Sequence, residues 1–195
     1  MKKLSFILLL LVVLSCGKDN GPGYQEPYDP NDDDPFIPLS DTEMMDLTQQ
    51  ETFKYFWDYA ESNSGAARER YHPNDPSNSQ NVVTTGGSGF GLMAILVGIE
   101  RGYISQSEGV ARLTQILNFF ENADRFHGAW PHWIDGGTGN VLPFSAQDDG
   151  GDIVETAFLA QGLICVKEYF EGGTVDEETL AAQADALWKG VEWDW

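Results

Sequence analysis

The sequence has 195 residues, 31 of them acidic against 11 Lys or Arg, for a formal net charge of −20. A surface this negative repels phosphate and uronate chains, so nucleic acid and polyanionic polysaccharides are poor partners and a neutral ligand is more natural. Hydrophobic residues make up 42% and aromatic residues 12% of the chain, which is enough for a packed globular core.

Lys2 and Lys3 precede an apolar run from Leu4 to Leu14, followed by Ser15-Cys16-Gly17. A basic start, an apolar centre and a small residue before the cut describe a secretory signal over residues 1–15. The run falls short of the about 20 apolar residues that a bilayer-spanning helix needs. Val13-Leu14-Ser15-Cys16 resembles a bacterial lipoprotein box. That resemblance implies cleavage before Cys16, lipidation of its sulfur and, with Gly17 rather than Asp next, sorting to the outer membrane on its periplasmic or surface side. An ordinary signal peptide with an incidental cysteine is the plainer alternative.

Residues 16–40 are rich in Pro, Gly and Asp, including Asn31-Asp32-Asp33-Asp34-Pro35. They hold too little apolar surface to offset their ordering entropy and are expected to form a disordered acidic tether. The folded domain is expected over residues 41–195. Its first helix opens at Asp41 as N-cap, with Met44, Leu47, Phe53, Phe56 and Trp57 in a helical stripe. An irregular segment from Asn63 to Gln80 follows, and Val82 to Thr85 reads as extended. Gly86 to Gly91 is expected as a glycine-rich entry to a second helix, Leu92 to about Arg101, ended by Gly102. It is Gly-x-Gly-x-Gly rather than the dinucleotide fingerprint, and no Walker lysine follows.

Ser105-Gln106-Ser107-Glu108 is a capping box for a third helix, with Val110, Leu113, Ile116, Leu117 and Phe120 on its buried face. Next comes a long loop from about Arg125 to Gly151, of a length that is often functional. A fourth helix, about Asp152 to Glu171, is apolar almost all round and therefore expected to be buried. The fifth spans Val175 to Val191. Helix follows helix without alternating strands, an all-α pattern. Cys165, inside the fourth helix, has no partner for an internal disulfide once Cys16 is lipidated. His72, His127 and His132 lack zinc-ligand spacing, so neither a metal nor a cofactor is expected.

The chemistry concentrates in Asp148-Asp149-Gly150-Gly151-Asp152-Ile153-Val154-Glu155. Continued helically, Asp148, Asp152 and Glu155 fall at i, i+4 and i+7 on one face. Clustered carboxylates repel, which favours one of them holding a proton, as general acid catalysis requires. Upstream, Trp130-Pro131-His132-Trp133 is an aromatic and imidazole cluster of the kind that stacks on sugars. Trp130 and Trp133 read equally well as core. Asp149, Arg70 and Tyr71 are further candidates for contacts to sugar hydroxyls, against ordinary surface anchoring. Asp152 and Glu155 also fit a capping box, in which each side chain bonds the other residue's amide. Asp148 has no such structural reading.

Three stretches carry a resemblance to a known family. They are Thr52-Phe53-Lys54-Tyr55-Phe56-Trp57, Gly89-Phe90-Gly91-Leu92 leading to Gly98-Ile99-Glu100-Arg101-Gly102-Tyr103-Ile104, and Asp148 through Leu159. From about Asp41 onward the chain resembles the glucoamylase-like family of secreted bacterial proteins, which includes endo-β-1,2-glucanases. The resemblance implies an (α/α)6 toroid with a sugar cleft at one end, of which this chain is expected to be the N-terminal half. It also implies a glycoside hydrolase with a neutral glucan as substrate, most directly an endo-β-1,2-glucanase. An α-glucan glucoamylase, a non-catalytic carbohydrate-binding lipoprotein and a polysaccharide lyase are the alternatives. The separation of the reacting carboxyls would decide the stereochemistry: about 5 Å for retention, about 6.5–9.5 Å for inversion.

Overall fold

The structure, a computed structural model, describes residues 38–75 and 81–195. The signal segment, Cys16 and nearly all of the tether lie outside the described residues. The order is α1 (Asp41–Trp57), β1 (Val82–Thr84), α2 (Thr85–Glu100), α3 (Gln106–Asn122), β2 (Trp133–Asp135), β3 (Val141–Leu142), α4 (Ile153–Phe170) and α5 (Val175–Lys189). No described helix is long and apolar enough to cross a membrane.

Helix boundaries follow local chemistry. α1 is capped by Ser40 rather than Asp41: the Ser40 hydroxyl accepts from the Glu43 amide while Glu43 accepts from the Ser40 amide at 2.8 Å. Ser-x-x-Glu satisfies two otherwise orphaned donors, which Asp41 could not do. α3 begins with the expected box between Ser105 and Glu108, and α5 with one between Thr174 and Glu177. α2 closes in a left-handed Gly102, φ 69°, with the Tyr103 amide reaching Gly98 O at 2.9 Å and the Gly102 amide Ile99 O at 3.0 Å. That is the six-to-one and five-to-two bonding of a Schellman stop.

The main departure concerns Gly86 to Gly91. The run is not an approach loop but the first turns of α2, which starts at Thr85. Glycine inside a helix costs about 1 kcal/mol relative to alanine, so tertiary packing must offset it. The offsetting contact is α4, the helix α2 packs against most extensively. A Cβ at Gly89 would lie 2.1 Å from Phe158 O, and one at Gly162 would lie 2.4 Å from Gly89 O. The two backbones touch here, and only glycine allows it.

The long loop contains structure of its own. β1, β2 and β3 form a small antiparallel sheet in that order, with Val83 opposite Ile134 and Ile134 opposite Val141. Val83 and Ile134 are fully buried beneath it. They join one core with Leu92, Ile95, Leu113, Leu117, Phe120, Leu159 and Leu163.

Glu61 anchors the irregular segment after α1. It is completely buried, and its carboxylate accepts from the amide and hydroxyl of Ser64, both at 2.8 Å, and from the Asn63 amide at 3.1 Å. Burial opposes its ionisation, but these donors and the Arg68 guanidinium outweigh burial and hold the carboxyl below its ordinary 4.5. A depressed carboxyl contributes stability above its unfolded value and loses it as pH falls through the folded one. Glu61→Gln should therefore cost ~1–3 kcal/mol at pH 7. Urea unfolding should show that gap narrowing as pH falls below 4.5 and the Glu61 carboxyl takes up its proton.

Candidate active site

Three segments meet at the N-terminal ends of α2 and α4. Trp130-Pro131-His132 runs between them, fixed on both sides. The Asp152 amide donates to Trp130 O at 2.8 Å, and the Trp130 amide to Thr156 Oγ1 at 2.9 Å. From α2, Thr85 Oγ1 donates to Pro131 O at 2.5 Å and the Thr85 amide to His132 O at 3.3 Å. Pairing of Trp133 with Thr84 and with Leu142 then carries the chain into the sheet.

This frame sets the side chains. Asp152 is the N-cap of α4, with Oδ1 accepting from the Val154 and Glu155 amides at 2.9 and 3.0 Å. Its other oxygen, Oδ2, lies 2.9 Å from His132 Nδ1. Glu155 does not complete the capping box. Its Oε2 instead accepts from the Gly86 amide at 2.8 Å, across the helix pair. Thr84, the N-cap of α2, makes no side-chain cap, so a carboxylate from α4 satisfies that helix end. A Cβ at Gly86 would stand 2.7 Å from that oxygen, so the glycine leaves room for the contact.

Asp148 arrives by a different route from the one its spacing implies. It is outside α4, in a tight hairpin where its amide donates to Ser145 O at 3.1 Å and Ser145 and Phe144 amides donate to Asp148 O at 3.3 and 2.8 Å. The hairpin brings a carboxylate oxygen of Asp148, one of Asp152 and an imidazole nitrogen of His132 within 4.8 Å of one another. One imidazole and two carboxylates are metal-ligand types. Here, however, Asp152 Oδ1 is engaged by two amides and Oδ2 by His132, which is equally the arrangement of a proton-handling group.

An aromatic corner stands against this group. The ring of Phe144 stacks on His132 at 4.3 Å and meets Trp133 edge-on at 4.8 Å. Phe144 is 48% exposed. Sequence reasoning missed it, although a large aromatic flanked by Pro143 and Ser145 in a polar turn was the available signal. Trp130 has the opposite fate. It is fully buried, its indole N–H donates to Phe120 O at 2.8 Å, and the Arg125 guanidinium lies 4.1 Å over its ring. No face of Trp130 is open to a sugar, because its spacing puts it in the core beneath the site. Asp149 is exposed beside Asp148. Arg70 pairs with Glu69 at 2.6 Å and Tyr71 stacks on Tyr59 at 4.4 Å, so both are engaged in anchoring their own segment.

A structure of the Chitinophaga pinensis endo-β-1,2-glucanase, in complex with sophorotriose and glucose, matches 81% of this chain at 58% identity and TM-score 0.78. The chain belongs to the glucoamylase-like family. A Bacteroides fragilis protein assigned as a glucoamylase matches 83% of the chain at 53% identity and TM-score 0.79. The exo-β-1,2-glucooligosaccharide sophorohydrolase of Parabacteroides distasonis is 47% identical over 159 residues, 81% of this chain. No protein-family model matches the sequence. The chain spans 38% and 39% of the two solved chains and 21% of the curated sophorohydrolase. Its helices therefore form part of an α/α toroid, with the small sheet built onto the ends of α2 and α4.

The two glycine contacts should respond differently to alanine. Gly89→Ala drives a methyl into backbone and should cost at least the about 1–3 kcal/mol of ordinary overpacking. Gly86→Ala meets chiefly the end of a flexible carboxylate, with Phe158 Cβ next at 3.3 Å, so it should cost less while displacing Glu155. Thermal melts should give that order, and a shifted Glu155 carboxylate resonance should accompany Gly86→Ala alone of the two in a folded protein.

Proposed function

We propose that this chain carries the carboxylate wall of a glycoside hydrolase site that cleaves β-1,2-glucosidic bonds within a neutral glucan. The observation that carries this reading is the convergence of Asp148, Asp152 and His132 within 4.8 Å, beside the exposed ring of Phe144, at the paired helix ends. Hydrolysis needs an acid for the leaving glycosidic oxygen and a carboxylate that activates water or meets the anomeric carbon. Asp148, Asp152 and Glu155 supply these groups, and His132 and Gly86 hold two of them in place. Trp133 and Phe144 offer apolar surface on which a pyranose can stack, and a neutral glucan suits a chain of net charge −20.

The relatives divide over where the chain is cut. The Chitinophaga enzyme is named an endo-glucanase and the Parabacteroides enzyme an exo-acting sophorohydrolase. Internal cleavage is the reading adopted, since identity to the endo-acting relative is 58% against 47%. Saturable binding of sophorotriose in preference to maltotriose, followed by calorimetry, tests the site. Asp148→Asn and Asp152→Asn should weaken binding or abolish cleavage while leaving the melt within about 1 kcal/mol of wild type, since asparagine still caps a helix. On β-1,2-glucan, a ladder of oligosaccharides marks internal cleavage and sophorose alone marks the exo reading. Equal binding of maltotriose, or full cleavage by both variants, contradicts the proposal.

The proposal extends to location: export by residues 1–15 and lipid attachment at Cys16 to the outer membrane. Labelled palmitate should enter the wild-type protein and not Cys16→Ala, and the variant should leave the membrane fraction.

A further inference from the structure

Asp148 is the least anchored of the three carboxylates. Among the described residues, no group donates a hydrogen bond to its side chain, whereas Asp152 accepts from two amides and Glu155 from the Gly86 amide. Its backbone bonds close within the hairpin: the Asp148 amide donates to Ser145 O, and the Phe144 and Ser145 amides donate to Asp148 O. The Gln147 amide also turns inward, to Ser145 Oγ at 3.3 Å. On the side leading to α4, nothing stands within 4 Å of where a Gly150 Cβ would project. A loop whose hydrogen bonds close on itself is placed by whatever contact it makes outside. Here that contact is the ring of Phe144, stacked on His132 at 4.3 Å with the planes 28° apart and edge-on to Trp133 at 4.8 Å.

We propose that Phe144 is a positioning residue: its stack on His132 seats the hairpin and thereby sets where the Asp148 carboxylate stands relative to Asp152. The seat is itself fixed. His132 Nδ1 lies 2.9 Å from Asp152 Oδ2, and His132 O accepts from the Thr85 amide. A chain of contacts therefore runs from Asp152 through His132 and Phe144 into the hairpin and ends at Asp148, within 4.8 Å of where it began. Phe144 is still 48% exposed, so seating the hairpin leaves ring surface for a sugar. The two duties have different kinetic signatures. A ring that only receives the sugar is felt in KM, whereas a ring that places a carboxylate is felt in kcat, because the misplaced group fails in the transition state. That kinetic consequence rests on the glycosidase reading. The placement of Asp148 does not.

The test follows carboxyl carbon and imidazole proton resonances of the full 195-residue chain in Phe144→Ala and Phe144→Tyr. In Phe144→Ala the His132 ring protons should lose their upfield ring-current shift and the Asp148 carboxyl resonance should move, while that of Glu155 stays. Phe144→Tyr, which keeps the ring, should restore both. Phe144→Leu keeps apolar bulk without a flat ring and repeats the test if the alanine variant unfolds. An Asp148 resonance that stays in place while the ring-current shift is lost overturns the proposal. On β-1,2-glucan, Phe144→Ala should lower kcat about 10–100-fold, by more than it raises KM, and Phe144→Tyr should recover it. An effect confined to KM overturns the proposal as well. A wild-type chain that leaves β-1,2-glucan intact contradicts the proposed function instead, and the Asp148 resonance then decides the positioning role alone.

Discussion

Everything at the candidate site depends on the backbone contact between α2 and α4. Gly89 and Gly162 remove the side chains that would hold the helices apart, and Phe158 O comes to within 2.1 Å of where a Gly89 Cβ would sit. At that separation a glutamate one turn into α4 reaches the first amides of α2. A pair of larger residues at the crossing would move the helices apart, and the Glu155–Gly86 bond of 2.8 Å would be lost. The start of α2 would then lose the carboxylate that satisfies it, and the Trp130–His132 segment clamped between Thr85 and Asp152 would lose one of its walls.

Two of the acidic residues proposed for the chemistry also have structural duties. Asp152 caps its helix with one oxygen and holds His132 with the other. Glu155 satisfies the start of a helix other than its own. Such double use fixes the carboxylates more tightly than a loop could. It also means that their removal is felt by the fold, whereas Asp148 is attached through its backbone hairpin and is the more separable of the three.

Much of this was legible in the sequence, and what was not has physical reasons. The capping box at Ser105, the Gly102 stop and the buried stripe of α3 are local features, and they stand where local rules put them. Gly86 to Gly91 reads as a loop because glycine is a poor helix former, and the α4 backbone that makes glycine obligatory is over sixty residues away in sequence. The Asp152–Glu155 pair satisfies the spacing of a capping box, yet Glu155 has a non-local donor that spacing cannot reveal. Trp130 and Trp133 are indistinguishable as letters. The register of the small sheet and the Phe120 carbonyl send one to the core and leave the other at the aromatic corner. Asp148 reaches the site by a hairpin, not along a helical face, so it meets Asp152 and His132 by a different geometry, while Glu155 turns to Gly86.

The central claim is that this helix seam presents its carboxylates to a β-1,2-linked sugar. A crystal structure of the chain with sophorotriose tests it most directly. The account predicts a pyranose against Phe144 and Trp133, a sugar oxygen within hydrogen-bond distance of Asp148 or Asp152, and the Glu155–Gly86 bond intact at about its present 2.8 Å. A sugar seated away from these carboxylates, or a Glu155 that leaves Gly86 to point elsewhere, would contradict it.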